Sequence, residues 1–454
     1  TIFLLACLLL NDPHYYQLGG PDAQGRDQTS HISFLILEAA HRLKSTCNLT
    51  IRVHDGLDPL LLQRGVEYLL ADRKAWPRFS GDKALVEGFM RNGYPAELAR
   101  RRIAVGCNWM ALPGLEYTMN DTVKINVAKV FTVAFDEMIE AGGEPCIGAL
   151  RQRFERHLEQ AVLCTARGID VQLDYQHLNE PELILNLLSH GPIERGLNVT
   201  NGGLDLYNMC IDGAGLATVA DSFAALEYRV ERQHEISWAE IAAHLANDYR
   251  GADGARVRLM MQSSPHYGEG GSLGDRWAVE ISEMFTRLVK ARPTPGGRNM
   301  IPGWFSWADT IRLGKQIVAT PDGRRAGEPI SHGANPRPGF RADGAATAMV
   351  KAVATIQPGY GNTAPIQLEI DPGVGQGDDA VRNVCSLIQT HFALGGTLFN
   401  INVVDADQVL AAHKDPSKFP DLVVRVTGFT AYFASLSPEF RQLIVDRIVR
   451  ERAA

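Results

Sequence analysis

An α/β fold with a barrel-like body is what the sequence predicts, on three observations. Segments with helical periodicity alternate along the chain with short apolar, β-branched runs. No internal repeat or low-complexity linker interrupts them. Residues 293–372 are rich in Gly, Pro and Asp, which predicts long loops around short strands. Strand, helix and loop in this order fit such a body better than a helix bundle or a β-sandwich.

Taken in order, residues 1–10 are apolar but lack a basic leader and a small-residue cleavage site, and they are too short to span a bilayer. They read as a buried strand or helix cut mid-element. Residues 31–44 have helical periodicity, 49–53 form a strand and 59–70 a helix. A long helix is expected over 121–139 with Asp121 near its N-terminus, and another over 150–166. Pro181 opens an apolar-periodic helix (Leu183, Ile184, Leu187, Leu188), which places Asn179 near its N-cap. Further helices cover 216–229, 238–245 and 276–289.

The glycine-rich residues 268–274 lack a following Lys-Ser/Thr and a dinucleotide unit, so they read as a helix-capping loop before Asp275. Leu422 to Val426 reads as a buried strand, with Gly428 soon after it as a turn or close backbone approach. The final helix, 438–450, has Ser437 as its cap and Pro438 in its first turn.

With 454 residues, 45% hydrophobic and 21% charged, the chain can build one large barrel or two to three ordinary domains. A net charge of -7 offers no polybasic footprint, which argues against nucleic acid and anionic membrane as partners. The seven cysteines (Cys7, Cys47, Cys107, Cys146, Cys164, Cys210, Cys385) form no CxxC pair and no spaced His/Cys set. That pattern suggests neither zinc nor a disulfide framework and fits a reducing cytoplasm. Three Asn-x-Ser/Thr sequons, at Asn48, Asn120 and Asn198, are then chance matches.

Two places could carry chemistry. Gly428 lacks a Cβ, so its loop tip can enter a narrow space and its α-carbon can flatten, as a carbon radical would need. Cys107 lies where the run Ile103-Ala104-Val105 meets a Gly/Pro loop through Gly106. Alone, it reads as a small core residue or as a reactive thiol.

The stretch Arg425-Val426-Thr427-Gly428-Phe429-Thr430-Ala431 resembles the glycyl-radical signature of the pyruvate formate-lyase superfamily. Three more stretches resemble family landmarks in family order: Leu18-Gly19-Gly20 before Asp27, Pro321-Asp322-Gly323-Arg324-Arg325-Ala326-Gly327 behind Ala319-Thr320, and Leu398-Phe399-Asn400-Ile401-Asn402-Val403-Val404. Together they cover nearly the whole chain. The resemblance implies a glycyl-radical-enzyme β/α barrel of which this chain is a C-terminal portion. Residues 1–411 would be the second half-barrel with the Cys loop, and 412–454 the glycyl radical domain.

By the same resemblance, Gly428 stores the radical as a post-translational modification and Cys107 delivers it as a thiyl to a small organic substrate. Relatives that eliminate water, trimethylamine or sulfite carry a glutamate two residues after the cysteine and an aspartate fourteen after it. Here Asp121 is retained, but the glutamate position is Trp109, which cannot accept a proton. Formate acetyltransferase would need two adjacent cysteines, whereas Cys107 is flanked by Gly106 and Asn108. The implied activity is therefore lyase, dehydratase or decarboxylase in type, with the substrate unassigned.

Substrate-pocket candidates are Asp121, Trp109, Asn108 and Tyr15. Asp121 could bind a hydroxyl or ammonium group, or serve its helix N-terminus. Tyr15, next to His14 and Tyr16, could enter the pocket or be ordinary barrel packing. Glu116 is a replacement acid/base or an exposed loop carboxylate. Arg425, Trp304 and Trp307 are assigned loop support rather than catalysis.

The family implies no bound cofactor and no metal; a radical S-adenosylmethionine activating enzyme with an iron–sulfur cluster would be the partner. It also implies a homodimer and an anaerobic cytoplasmic setting, a bacterial microcompartment among them. Two alternatives stand beside this. Asn179-Glu180-Pro181 is similar to the motif of barrel glycoside hydrolases, with Glu180 as the acid. A non-catalytic subunit donating only the radical loop is the other.

Overall fold

A computed structural model describes residues 15–44, 47–119, 123–340, 346–373, 378–426 and 428–453, the last five and Asp378 by backbone only. It divides into two compact units, one of residues 1–110 with 338–454 and one of residues 111–337. In chain order, the first unit supplies strands β1 (Tyr15–Leu18), β2 (Asn48–Val53), β3 (Arg78–Gly81), β4 (Ile103–Val105) and β5 (Trp109–Ala111), which runs into the second unit. The second unit supplies β6 (Glu116–Thr118), β7 (Lys124–Asn126), β8 (Leu206–Ala214) and β9 (Asn299–Trp304). The first unit then resumes with β10 (Ile366–Ile370), β11 (Leu398–Val403), β12 (Val423–Arg425) and β13 (Thr430–Tyr432).

The first unit is organised on a five-stranded sheet of order β1-β2-β3-β11-β10. Strands β1, β2 and β3 run parallel, β11 runs antiparallel to β3, and β10 is parallel to β11. Because side chains alternate between faces, the register decides which ones share a face. Tyr15 pairs with Asn48, Thr50 with Arg78, Ser80 with Leu398, Asn400 with Gln367 and Asn402 with Glu369. One face is therefore almost wholly polar, and the other carries Leu49, Ile51, Phe79, Phe399, Ile401 and Ile366. Helix Pro59–Asp72 packs closely on the apolar face, where a Cβ at Gly65 would collide with the Ile51 side chain. Polar residues of β2, β3 and β11 are nonetheless buried, so the polar face is an interior.

The second unit is built on β8, with β6, β7 and β9 all parallel to it. Helix Leu216–Leu226 follows β8 and is buried on every side; it is largely apolar, with Thr218, Asp221 and Ser222 as buried polar positions. Phe223 stacks on Trp277 at 4.4 Å and meets Phe131 and Phe154 edge-on at 5.0 and 5.6 Å. Ser272 caps helix Leu273–Lys290, and the Asp275 carboxylate accepts the N–H groups of Gly268 at 2.7 Å and Gly270 at 2.7 Å, so this loop is a capping loop as expected.

Several expected boundaries moved. The helix expected from Asp121 starts at Val127, because Lys124–Asn126 pairs with Asp212–Ala214 as a strand and Asn126 is the N-cap. Asp121 itself lies outside the described residues. The helix expected over 150–166 runs Ile147–Asn179, and that over 216–229 passes at Glu227 into a π-helix. Asn179 is therefore not an N-cap. It ends the long helix, and Glu182 precedes the short helix Leu183–Leu188. Of its five apolar residues, Leu183, Ile184, Leu187 and Leu188 are 67–74% exposed and Leu185 is 37% exposed. Within residues 293–372, expected as loops and short strands, Ala346–Thr355 is a helix.

Candidate active site

The site lies within the first unit, on the polar face of its sheet. Cys107 sits between β4 and β5, which pair in a two-stranded sheet, and Gly106 takes φ +55° to make the reversal. Bonds from surrounding side chains pin this thiol hairpin. The Gln17 side-chain oxygen accepts the Ala104 N–H at 2.9 Å, and Arg78 Nη1 donates to the Cys107 carbonyl at 2.7 Å. The Thr363 hydroxyl donates to the Asn108 carbonyl at 2.7 Å, and Arg102 donates to the Met110 carbonyl at 2.5 Å.

Gly428 sits between β12 and β13, an antiparallel hairpin in which Arg425 pairs with Thr430. Its φ of +85° is a left-handed conformation that glycine adopts without cost. The Gly428 residue is buried. Arg425, itself buried, turns back to donate Nη2 to the Gly428 carbonyl at 2.7 Å and Nη1 to Asn48 at 3.3 Å. From helix Pro438–Ala453, Arg447 donates to the carbonyls of Val426 at 3.0 Å and Arg425 at 2.9 Å.

The two hairpins converge on one atom. The Tyr15 hydroxyl lies 3.4 Å from Cys107 Sγ and donates to the Gly428 carbonyl at 3.3 Å. The Arg78 guanidinium stands over the Tyr15 ring, 5.0 Å from its centroid, a cation–π arrangement. Burial pushes the Tyr15 phenol far above its ordinary range, and the adjacent Cys107 adds to the effect. Burial, with the Arg78 charge beside it, lowers Arg425 to about 10. The site is thus largely buried, with cationic walls.

Of the residues singled out in the sequence, Cys107, Asn108, Tyr15 and Gly428 come together here. Trp109 is completely buried directly after them in the hairpin, and its indole N–H has no hydrogen-bond partner among the described residues. Glu116 is not an exposed loop carboxylate. It is half-buried on β6, accepting the Leu112 N–H at 2.8 Å and a bond from the Asn208 amide. Trp304 belongs to the second unit, where its indole donates to Ser282 at 2.8 Å. Glu180 is exposed behind the long helix.

Arg78 and Arg447 escaped the sequence reading. For Arg78 a signal existed: a cation inside Pro77-Arg78-Phe79-Ser80, with strand character on both sides, must find acceptors in the interior. Among the described residues no group of three or more His, Cys, Asp or Glu could hold a metal ion, and no helix is long and apolar enough to cross a membrane.

Solved structures of the same architecture include the glycerol-bound B12-independent glycerol dehydratase from Clostridium butyricum, with a TM-score of 0.87 at 24% identity over 95% of this chain and 56% of that one. A protein of 1,2-propanediol dehydration in Roseburia inulinivorans gives 0.89 at 24% identity over the same shares. The fold is that of the glycyl radical enzymes.

In sequence, the chain is 25% identical to (2S)-3-sulfopropanediol dehydratase of Klebsiella oxytoca over 95% of its own length and 54% of the relative's. It is 25% identical to trans-4-hydroxy-L-proline dehydratase of Clostridioides difficile over 94% and 56%, and 24% identical to isethionate sulfite-lyase of Oleidesulfovibrio alaskensis over 95% and 54%. It spans about half the length of these curated relatives. Residues 13–314 match the sequence model described as Pyruvate formate lyase-like and residues 330–434 the one described as Glycine radical. The chain belongs to the pyruvate formate lyase-like family.

Proposed function

We propose that this chain carries the radical site of a glycyl radical lyase that breaks a C–X or C–C bond in a small organic substrate. The observation that carries the reading is the meeting of Cys107 and Gly428 at the Tyr15 hydroxyl. A subunit donating only a radical loop would have no use for a thiol placed there. The glycoside hydrolase alternative fares no better, since Glu180 is exposed and the relatives are dehydratases and sulfite-lyases.

In this reading a radical S-adenosylmethionine activating enzyme with an iron–sulfur cluster removes one hydrogen atom from the Gly428 α-carbon. The α-carbon radical then regains hydrogen at the expense of the Cys107 S–H, which leaves a thiyl. The thiyl takes hydrogen from a substrate carbon, a neighbouring bond breaks, and the product radical recovers the hydrogen from Cys107. Each step moves a neutral hydrogen atom, so a buried neutral thiol serves and no thiolate is required. Burial of both hairpins keeps water and side reactions from the radical.

Asn108 and Trp109 join Tyr15 as substrate-pocket candidates, and Asp121, outside the described residues, is a candidate on the family resemblance alone. Trp109 in place of a carboxylate favours substrates whose reaction needs no base two residues after the thiol, decarboxylation and C–C cleavage among them. Residues 412–454 act as the glycyl radical domain, and the working enzyme is a homodimer in an anaerobic cytoplasm. Dioxygen supplies the test: after anaerobic activation, admitting air should cut the chain at Gly428, giving two fragments by mass spectrometry. An uncut chain carrying a full complement of radical would contradict the assignment.

A further inference from the structure

The Tyr15 side chain stands where no direct thiol-to-glycine exchange requires it. A phenol has a single O–H and accepts through its lone pairs. With Gly428 accepting at 3.3 Å and Cys107 Sγ at 3.4 Å, one arrangement uses both contacts: Cys107 S–H to the Tyr15 oxygen, and Tyr15 O–H to the Gly428 carbonyl. The carbonyl carbon is bonded to the α-carbon that would hold the radical. One oxygen thus contacts both the reacting sulfur and the carbonyl attached to the reacting carbon.

We propose that Tyr15 is a catalytic residue of the radical transfer, a hydrogen-atom relay between Cys107 and Gly428. The inference rests on the glycyl radical reading above. In the first step the Gly428 α-carbon radical takes the phenolic hydrogen: the O–H bond breaks, a C–H bond forms, and a neutral tyrosyl radical remains. In the second, that oxygen takes the hydrogen of Cys107: the S–H bond breaks, the O–H bond is restored, and the thiyl is left. The sum is one hydrogen atom moved from sulfur to carbon, with Tyr15 unchanged.

The surroundings favour neutral steps. Arg78 and Arg425 are buried beside the phenol, and Arg78 faces its ring. In so buried a place, moving a proton and an electron separately would create uncompensated charge, which burial penalises heavily. Passing a whole hydrogen atom creates none. The pKa of Tyr15, raised by burial, also keeps the hydrogen on oxygen across the working pH range.

The test needs no substrate. Phenolic and thiol hydrogens exchange with solvent, whereas a glycine α-hydrogen does not unless it passes through one of them. The glycyl signal of the activated full-length protein should therefore collapse from a doublet to a near-singlet in D2O, deuterium splitting being small. Tyr15→Phe removes only the oxygen and keeps the ring under Arg78; its doublet should persist in D2O, and turnover should be lost. Cys107→Ala should still collapse, because Tyr15 alone can deliver deuterium. A Tyr15→Phe doublet that collapses at the wild-type rate overturns the relay.

If Tyr15→Phe takes up no radical, Cys107→Ala decides: collapse supports the relay, and a persistent doublet overturns it. Failure of the glycyl radical reading would look different, since the wild-type protein would then give no doublet at all.

Discussion

The two hairpins of the site are built alike and held differently. Each reverses at a glycine of positive φ, Gly106 in one and Gly428 in the other. The thiol hairpin is tied to the main sheet. It is fixed by bonds from Gln17 and Arg78 on the main sheet, and from Thr363 and Arg102.

The glycine hairpin belongs to a separate apolar cluster of Val404, Val409, Val424, Val426, Phe433 and Ile444, all between residues 404 and 448. Its arginine clamp is also largely local, Arg425 and Arg447 both donating to carbonyls of residues 425–428. The glycine hairpin is thus mounted on a small apolar cluster of its own, and the thiol hairpin on the main framework. A residue that must meet an activating partner is suited to the first mounting, and one that must hold a fixed distance from substrate to the second.

The comparison can be broken in order of size. The largest expected effect is Cys107→Ala: the radical forms and turnover vanishes, because the framework hairpin acts only after the glycine has been activated. Loss of the radical in that variant would show that the two mountings are not independent. Next, Ile444→Ala should cost about 4 kcal/mol in urea unfolding, as for a fully buried side chain removed from a packed core. The loss should appear as early opening of residues 404–448 in hydrogen exchange, with β2 and β3 still protected.

Acid should act on the other partner. His391 is buried against Phe399 of the main sheet and its pKa is lowered to about 4 by burial. Protonation therefore favours the unfolded chain. This histidine's share of the stability is complete above the unfolded-state value near ~6.5 and is lost as pH falls toward 4, about 3 kcal/mol in all. Urea midpoints measured from pH 7 to 4 should fall, and His391→Leu should flatten that slope.

The smallest effect is Arg425→Met, expected to cost about 2 kcal/mol by removing the charged donor from the Gly428 carbonyl. It should lower radical yield on activation and leave the β2 and β3 amides protected.

Much of this was legible in the sequence for physical reasons. Gly428 and Cys107 stand in short motifs that resemble family signatures, so they could be named as candidates without a structure. The run Leu49 to Val53 reads as a strand and Leu398 to Val403 stood out only as a family landmark, although alternation survives in both. Their polar positions, Thr50, Arg52, Asn400 and Asn402, look like a solvent face and are buried. Period alone cannot distinguish water from a polar interior, and Arg78 went unnoticed for that reason.

The start of the helix at Val127 was misread because Lys124, Ile125 and Asn126 carry no strand signal apart from the partner β8 supplies. The Leu183–Leu188 helix was legible as apolar-periodic, but periodicity reports a face and not what covers it, and most of that face is exposed.

The central claim is that Gly428 holds an α-carbon radical within reach of Cys107. Anaerobic electron paramagnetic resonance of the full-length protein, after incubation with its activating enzyme, S-adenosylmethionine and reductant, tests it most directly. The account predicts a doublet from one α-hydrogen that is absent in Gly428→Ala. No signal with a competent activating enzyme, or an unchanged doublet in Gly428→Ala, would contradict it.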